Sequence, residues 1–101
     1  GAVDVEIMLV HFDRETRGDD AIRTLKTMGL EPAKIEHCLA FGAKYPEVQR
    51  EISIVFLGSY PSDRRYVPCL EGTASRRDLK LNWIGRSWER YWRFAAARAK
   101  K

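Results

Sequence analysis

Long apolar runs are absent from this chain. Its longest uncharged apolar stretches, 7–10 (IMLV) and 52–58 (ISIVFLG), fall far short of the ~20 residues that span a bilayer, so no membrane helix is expected. Cysteine is scarce. Cys38 and Cys69 lie too far apart for a CxxC redox or zinc pair, and both sit among apolar neighbours, where a reduced thiol packs as a small hydrophobe. His11 and His37 are the only histidines, and no ligand spacing joins them. A structural role is expected for both, with no metal and no cofactor. Phosphate cradles of the GxxxxGK[ST] or GxGxxG kind are missing, and Ser53, Ser59, Ser62, Ser75 and Ser87 lack a nucleophile-elbow pattern. Asp13, Glu15, Asp19 and Asp20 read as turn and cap residues beside a helix start. No catalytic residue is assigned, and an enzyme is not expected.

What the chain does hold is one domain's worth of residues, 1–101, enough for a single modest core. Hydrophobic residues at 45% and charged ones at 32% are ordinary for a globular protein. Gly1 and Ala2 read as a cloning remnant. Asp4 and Glu6 near the start, with no basic region before them, argue against a signal peptide and for a cytoplasmic setting. The net charge of +4 hides a split: residues 1–63 carry 7 Lys+Arg against 11 Asp+Glu, whereas residues 64–101 carry 11 against 3. A basic C-terminal half attracts phosphates, acidic proteins or small anions.

Periodicity places the elements. Residues 3–12 alternate as a strand, with Val3, Val5, Ile7 and Leu9 on one face. A first helix is expected over 19–28, with Ala21, Ile22, Leu25 and Met28 on its apolar stripe and Gly29 as a left-handed terminator. Pro32 stands near the first turn of a second helix whose buried stripe is Ile35, Cys38, Leu39 and Gly42, and Tyr45-Pro46 ends it. The β-branched run 51–60 reads as a central strand covered on both faces. Leu79, Leu81 and Trp83 alternate with Asp78, Lys80 and Asn82 as a half-buried strand.

The tail admits two foldings. Ile84, Trp88, Tyr91, Ala95 and Ala99 recur at helical spacing, and alanine favours helix. Read with period two, Trp92, Phe94 and Ala96 share one face of a strand, and Gly85 supports a turn before it. Spacing alone leans to the helix.

A motif bears on the choice. Arg77, Leu79, Leu81, Trp83, Trp88, Arg93, Phe94, Ala96 and Arg98 form an RxLxLxW…W…RFxAxR pattern that resembles small bacterial proteins with a C-type-lectin-like frame. Some proteins of that frame are targets of diversity-generating retroelements, which vary exposed ligand-facing residues. The resemblance implies a strand-like tail and an α+β fold of order β-α-α-β-β-β-β. Strands 51–59, 65–70, 78–84 and 91–98 would form an antiparallel meander, the first strand pairing with the last and both helices covering one side. It also implies a bacterium or mobile element as the setting. Paired disulfides and a calcium loop, usual in lectins, are missing here.

Within that frame Trp83, Trp88 and Phe94 are expected in the core. The candidate binding residues are Arg64, Arg76, Arg77, Lys80, Arg86, Arg90, Tyr91 and Trp92, carried by loops 71–77 and 85–90 and by outward strand positions. Arginine and aromatic side chains together dominate binding hot spots. A non-enzymatic recognition module is expected, with Arg90 as an anion donor and a protein or small anionic ligand as partner. The other reading is nonspecific nucleic-acid binding by a basic tail.

Overall fold

Strands Ile54–Val55 and Arg93–Ala99 decide the architecture, because each presents apolar side chains to both faces of the sheet. The computed structural model describes residues 5–58 and 66–99, so Arg64 and the start of the strand expected from 65 lie outside the described residues. The chain order is β1 (Val5–Val10), β2 (Thr16–Arg17), α1 (Gly18–Thr27), β3 (Glu31–Pro32), α2 (Ile35–Lys44), a 3-10 turn (Val48–Arg50), β4 (Ile54–Val55), β5 (Tyr66–Thr73), β6 (Arg76–Trp83), β7 (Ser87–Trp88) and β8 (Arg93–Ala99). It is an α+β fold with two helices and a mixed sheet among the described residues.

The main sheet runs β1-β8-β4-β5-β6, and β3 pairs with β8 beyond the end of β4. β1 and β8 pair antiparallel from Val5↔Ala99 to Val10↔Phe94, so the first and last strands are neighbours. The tail is therefore extended, and the helical reading of its spacing is corrected. Small alanine side chains here serve close strand approach rather than helix propensity.

The four-strand antiparallel meander is also corrected. β4, β5 and β6 follow one another antiparallel, but the chain then returns through β7, and β8 inserts between β1 and β4, parallel to β4. β8 buries Phe94, Ala95, Ala96 and Ala97, which suits a sheet interior. β6, polar at every second position, takes the edge.

The helices cover opposite faces rather than one. Val55, Leu57, Phe94 and Ala96 pack with Ala21 and Leu25 of α1, while Ile54, Phe56 and Ala95 pack with Cys38 and Phe41 of α2. Both faces of the central strands are apolar, so each needs its own cover. Cys38 and Cys69 are free, buried thiols in these two separate clusters. Burial pushes them up to about 11 and about 12.

Local boundaries moved for identifiable reasons. Pro32 is buried in β3 rather than opening α2. The amide of Lys34, the residue before that helix, instead donates to His37 Nδ1 at 2.9 Å, which gives His37 a capping role. Cys38 and Gly42 are buried, but Ile35 and Leu39 are exposed, as is Met28 after α1. Arg17 precedes α1 without a side-chain cap, leaving Asp19 and Asp20 in its first turn to oppose the helix dipole. Gly29 adopts φ +78°, a left-handed terminator. The strand expected over 51–59 is strand only at Ile54–Val55, although the Phe56 amide still reaches Pro68 O. No loop exists at 71–77, because β5 and β6 meet across a turn at Ala74-Ser75.

A Cβ at Gly18 would collide with the Ile84 carbonyl oxygen, backbone against backbone, whereas one at Gly42 would rest 3.6 Å from Leu70 Cδ1. Gly18→Ala is expected to lower unfolding free energy by about 1–3 kcal/mol. Gly42→Ala, inside α2, should raise it by about 0.4–1 kcal/mol. Urea titration of both variants checks the pair, and equal midpoints would refute the close approach of α1 to Ile84.

Candidate functional site

The segment after β6 is shaped by aromatic packing. Trp88 is fully buried and meets Trp92 edge-on with centroids 4.8 Å apart, and Phe94 at 6.5 Å. β7 pairs with β2, Thr16 opposite Trp88, which fixes the indole inward. Two expectations fail here. Trp92, expected on the surface, is 2% exposed, and Trp83, expected in the core, is 52% exposed. Their positions explain the exchange: Trp83 sits on the edge strand, whereas Trp92 enters β8 against Trp88.

Arg86 lies over the Trp88 ring at 4.8 Å and donates from Nη2 to Glu89 Oε1 at 2.5 Å. Its Nη1 donates to Asn82 Oδ1 at 3.3 Å. Glu89 also accepts from the Trp92 indole N–H at 3.3 Å and the Tyr91 hydroxyl at 3.2 Å, and Tyr91 stacks on Trp92. Burial alone would raise the Glu89 carboxyl, but its backbone amide, Arg86, Trp92 and Tyr91 together hold it below its ordinary value. Burial and the Glu89 charge raise the Tyr91 hydroxyl. This is a structural clasp. Sequence reasoning passed over Glu89, although its spacing of three from Arg86 was a usable signal.

The other cations are dispersed. Arg90 donates from Nε and Nη2 to Asp13 Oδ1 at 3.2 and 3.0 Å, and its carbonyl accepts from His11 Nε2 at 2.9 Å. Arg76 donates to Asp78 at 3.0 Å, and Arg98 to Glu6 at 2.6 Å. Lys80 is exposed on the same face of β6 as Arg76, while Arg77 lies on the opposite face and donates to Gly42 O at 2.9 Å. The predicted site is thus not one surface: Arg86, Tyr91 and Trp92 meet around Glu89, and among the described residues Arg76, Arg77, Lys80 and Arg90 do not join them.

A different surface emerges beside α2. Leu79, Leu81 and Trp83 share the α2 side of β6 and are 51%, 53% and 52% exposed, with Tyr66 opposite Trp83 on β5. An open groove of about 390 Å³ separates this ledge from α2, lined by Leu39, Gly42, Gln49, Leu70, Arg77 and Leu79. At its floor Gln49 is buried and donates from Nε2 to the carbonyls of Glu71 and Asp78, at 2.9 and 3.1 Å, tying the 3-10 turn to the β5–β6 hairpin. Alternation announced a half-buried strand here, but nothing in it told which face would be covered.

Among the described residues no group of three or more His, Cys, Asp and Glu side chains could hold a metal ion, and no helix is long and apolar enough to cross a membrane. No protein-family model, curated protein or solved structure matches the chain.

Because Glu89 binds its proton more weakly folded than unfolded, its stabilisation is present above the unfolded carboxylate range and is lost as pH falls through its folded value. Glu89→Gln should therefore lower the thermal midpoint at neutral pH, and the gap from wild type should close in acid. Midpoints measured across pH test this; a gap that persists unchanged in acid would remove Glu89 from the clasp.

Proposed function

We propose that this chain is a non-enzymatic recognition module that receives a protein partner on the ledge and groove between α2 and β6. One observation carries the reading. Apolar Leu79, Leu81 and Trp83 stand half open to solvent, while Asp78 and Asn82 of the same strand are half-buried. A strand serving only to close a sheet gains from the reverse arrangement, since apolar area left in water forfeits burial energy. With Tyr66 at one end and Leu39 across the groove, exposed apolar and aromatic side chains gather on one side of the sheet, and such clustering, unlike apolar residues scattered singly, is a feature of interaction sites. Arg77 at the rim supplies a cation for a partner carboxylate, and aromatic residues beside arginine are the usual anchors of such interfaces.

Phosphate binding is less favoured by the side-chain partners. Arg76, Arg86, Arg90 and Arg98 already meet Asp78, Glu89, Asp13 and Glu6, so nucleic acid or a small anion would have to displace carboxylates. The likeness to C-type-lectin-like targets of diversity-generating retroelements rests on the Arg77 to Arg98 motif. Antiparallel pairing of β1 with β8 supports it, and the opposed helices depart from it. A cytoplasmic bacterial setting fits the two free thiols.

A random-peptide display library selected on the immobilised protein should enrich peptides bearing apolar residues. Their affinity is expected to fall about tenfold or more with Leu81→Lys and to hold with Arg90→Ala. Enriched peptides indifferent to Leu81→Lys would refute the surface. Steeply salt-dependent binding of single-stranded DNA, without peptide enrichment, would move the reading to nucleic acid.

A further inference from the structure

Among the described residues, β6 pairs only with β5 and ends the sheet. Its ladder runs unbroken from Tyr66↔Trp83 to Thr73↔Arg76. Long regular edges are open to pairing with another chain, and folded proteins blunt them with proline, bulges or charges. β6 contains neither proline nor bulge. Its charges on one face alternate in sign, Arg76, Asp78 and Lys80, while Arg77, Leu79 and Leu81 share the other. We infer that this edge is closed by a second copy of the same chain, β6 pairing antiparallel with β6 across a two-fold axis normal to the sheet.

Symmetry restricts how this can be done. Such an axis keeps the same face upward in both copies, so only residues of equal parity can stand opposite one another. Centred on Lys80, the pairing sets Lys80 against Lys80 of the partner subunit. Centred on Asp78, it opposes two carboxylates. Like charges directly opposite destabilise a strand pair. Centring on Leu81 leaves the first residues of β6 unpaired and sets Lys80 against Asn82 of the partner subunit.

The register centred on Leu79 engages β6 from Arg76 to Asn82. Leu79 meets Leu79 of the partner subunit on the apolar face. On the other face Asp78 meets Lys80 of the partner subunit, and symmetry supplies that ion pair twice. Arg77 then lies beside Leu81 of the partner subunit, over which its aliphatic stem can lie. Among registers centred on residues 78 to 81, only this one sets unlike charges opposite each other. The joined sheets would set the two Leu79–Trp83 ledges side by side on one face while leaving both grooves open, so the inference does not depend on what the groove receives.

Size-exclusion chromatography with light scattering should find a dimer that dissociates on dilution. Asp78→Lys and Lys80→Asp should each raise the dimer dissociation constant about tenfold or more, because both symmetry-related pairs turn repulsive. An equal mixture of the two variants should recover the dimer, each supplying the charge the other has lost, and that recovery also shows that both are folded. Leu79→Cys oxidised with copper–phenanthroline should give a disulfide-linked dimer, two thiols passing two electrons to the oxidant and releasing two protons, and Leu81→Cys should not. A wild-type chain monomeric at every concentration overturns the inference while leaving peptide capture by the ledge intact. A dimer indifferent to both charge reversals, or variants that fail to associate on mixing, overturns it as well.

Discussion

β8 is in contact on both edges and both faces, and that demand organises the molecule. β1 occupies one edge along its length, while β4 and then β3 share the other. Backbone bonds continue the stitching beyond the ladders: Arg93 N to Ser53 O, Ala33 N to Ala95 O, and Gly58 N to Ala33 O. Ala95, Ala96 and Ala97 are buried on the faces of this strand, and bulkier side chains there would overfill the core that the helices close.

Opposite apolar faces follow from the same strand. Once β8 and β4 lie side by side with apolar groups pointing both ways, one helix cannot finish the core, and α1 and α2 must divide the work. The α1 side is the larger cluster, closed by Trp88, Trp92 and Phe94. The clasp of Arg86 and Glu89 sits on these rings and satisfies the Trp92 indole N–H. Three of the residues that read as a basic aromatic binding surface, Arg86, Tyr91 and Trp92, thus belong to the lid of a core.

How much of this could be read beforehand differs by element. α1 and the turn at Gly29 were legible because the helical spacing of Ala21 and Leu25 and a glycine terminator are local signals. The edge-to-centre order of strands was not, since parity says which residues share a face and nothing about which face is covered. Trp83 and Trp92 exchanged places for that reason. The tail misled on spacing because alanine, the best helix former, is also the residue a crowded sheet needs beside a crossing segment. Only the motif pointed to extended backbone there. Arg90, expected as an anion donor, meets Asp13, and Arg98 meets Glu6, partners more than seventy residues away that no local rule could supply.

Those two pairs also account for the fate of the charge asymmetry. An acidic first half and a basic second half would give a strongly polar molecule if they folded apart. Because β1 lies against β8, Glu6 is brought to Arg98, and the turn after β1 brings Asp13 to Arg90 and Glu15 to Ser87. Pairing of the first and last strands therefore offsets in space part of what is segregated along the chain. Exposed pairs of this kind add little stability, about 0–1 kcal/mol each, but they shorten the reach of the basic field. With that field locally answered, the surface feature lacking an internal explanation is apolar: leucines and a tryptophan turned to water on the sheet's last strand. Those side chains forfeit burial energy, and the proposed recognition rests on that ledge and not on the arginines.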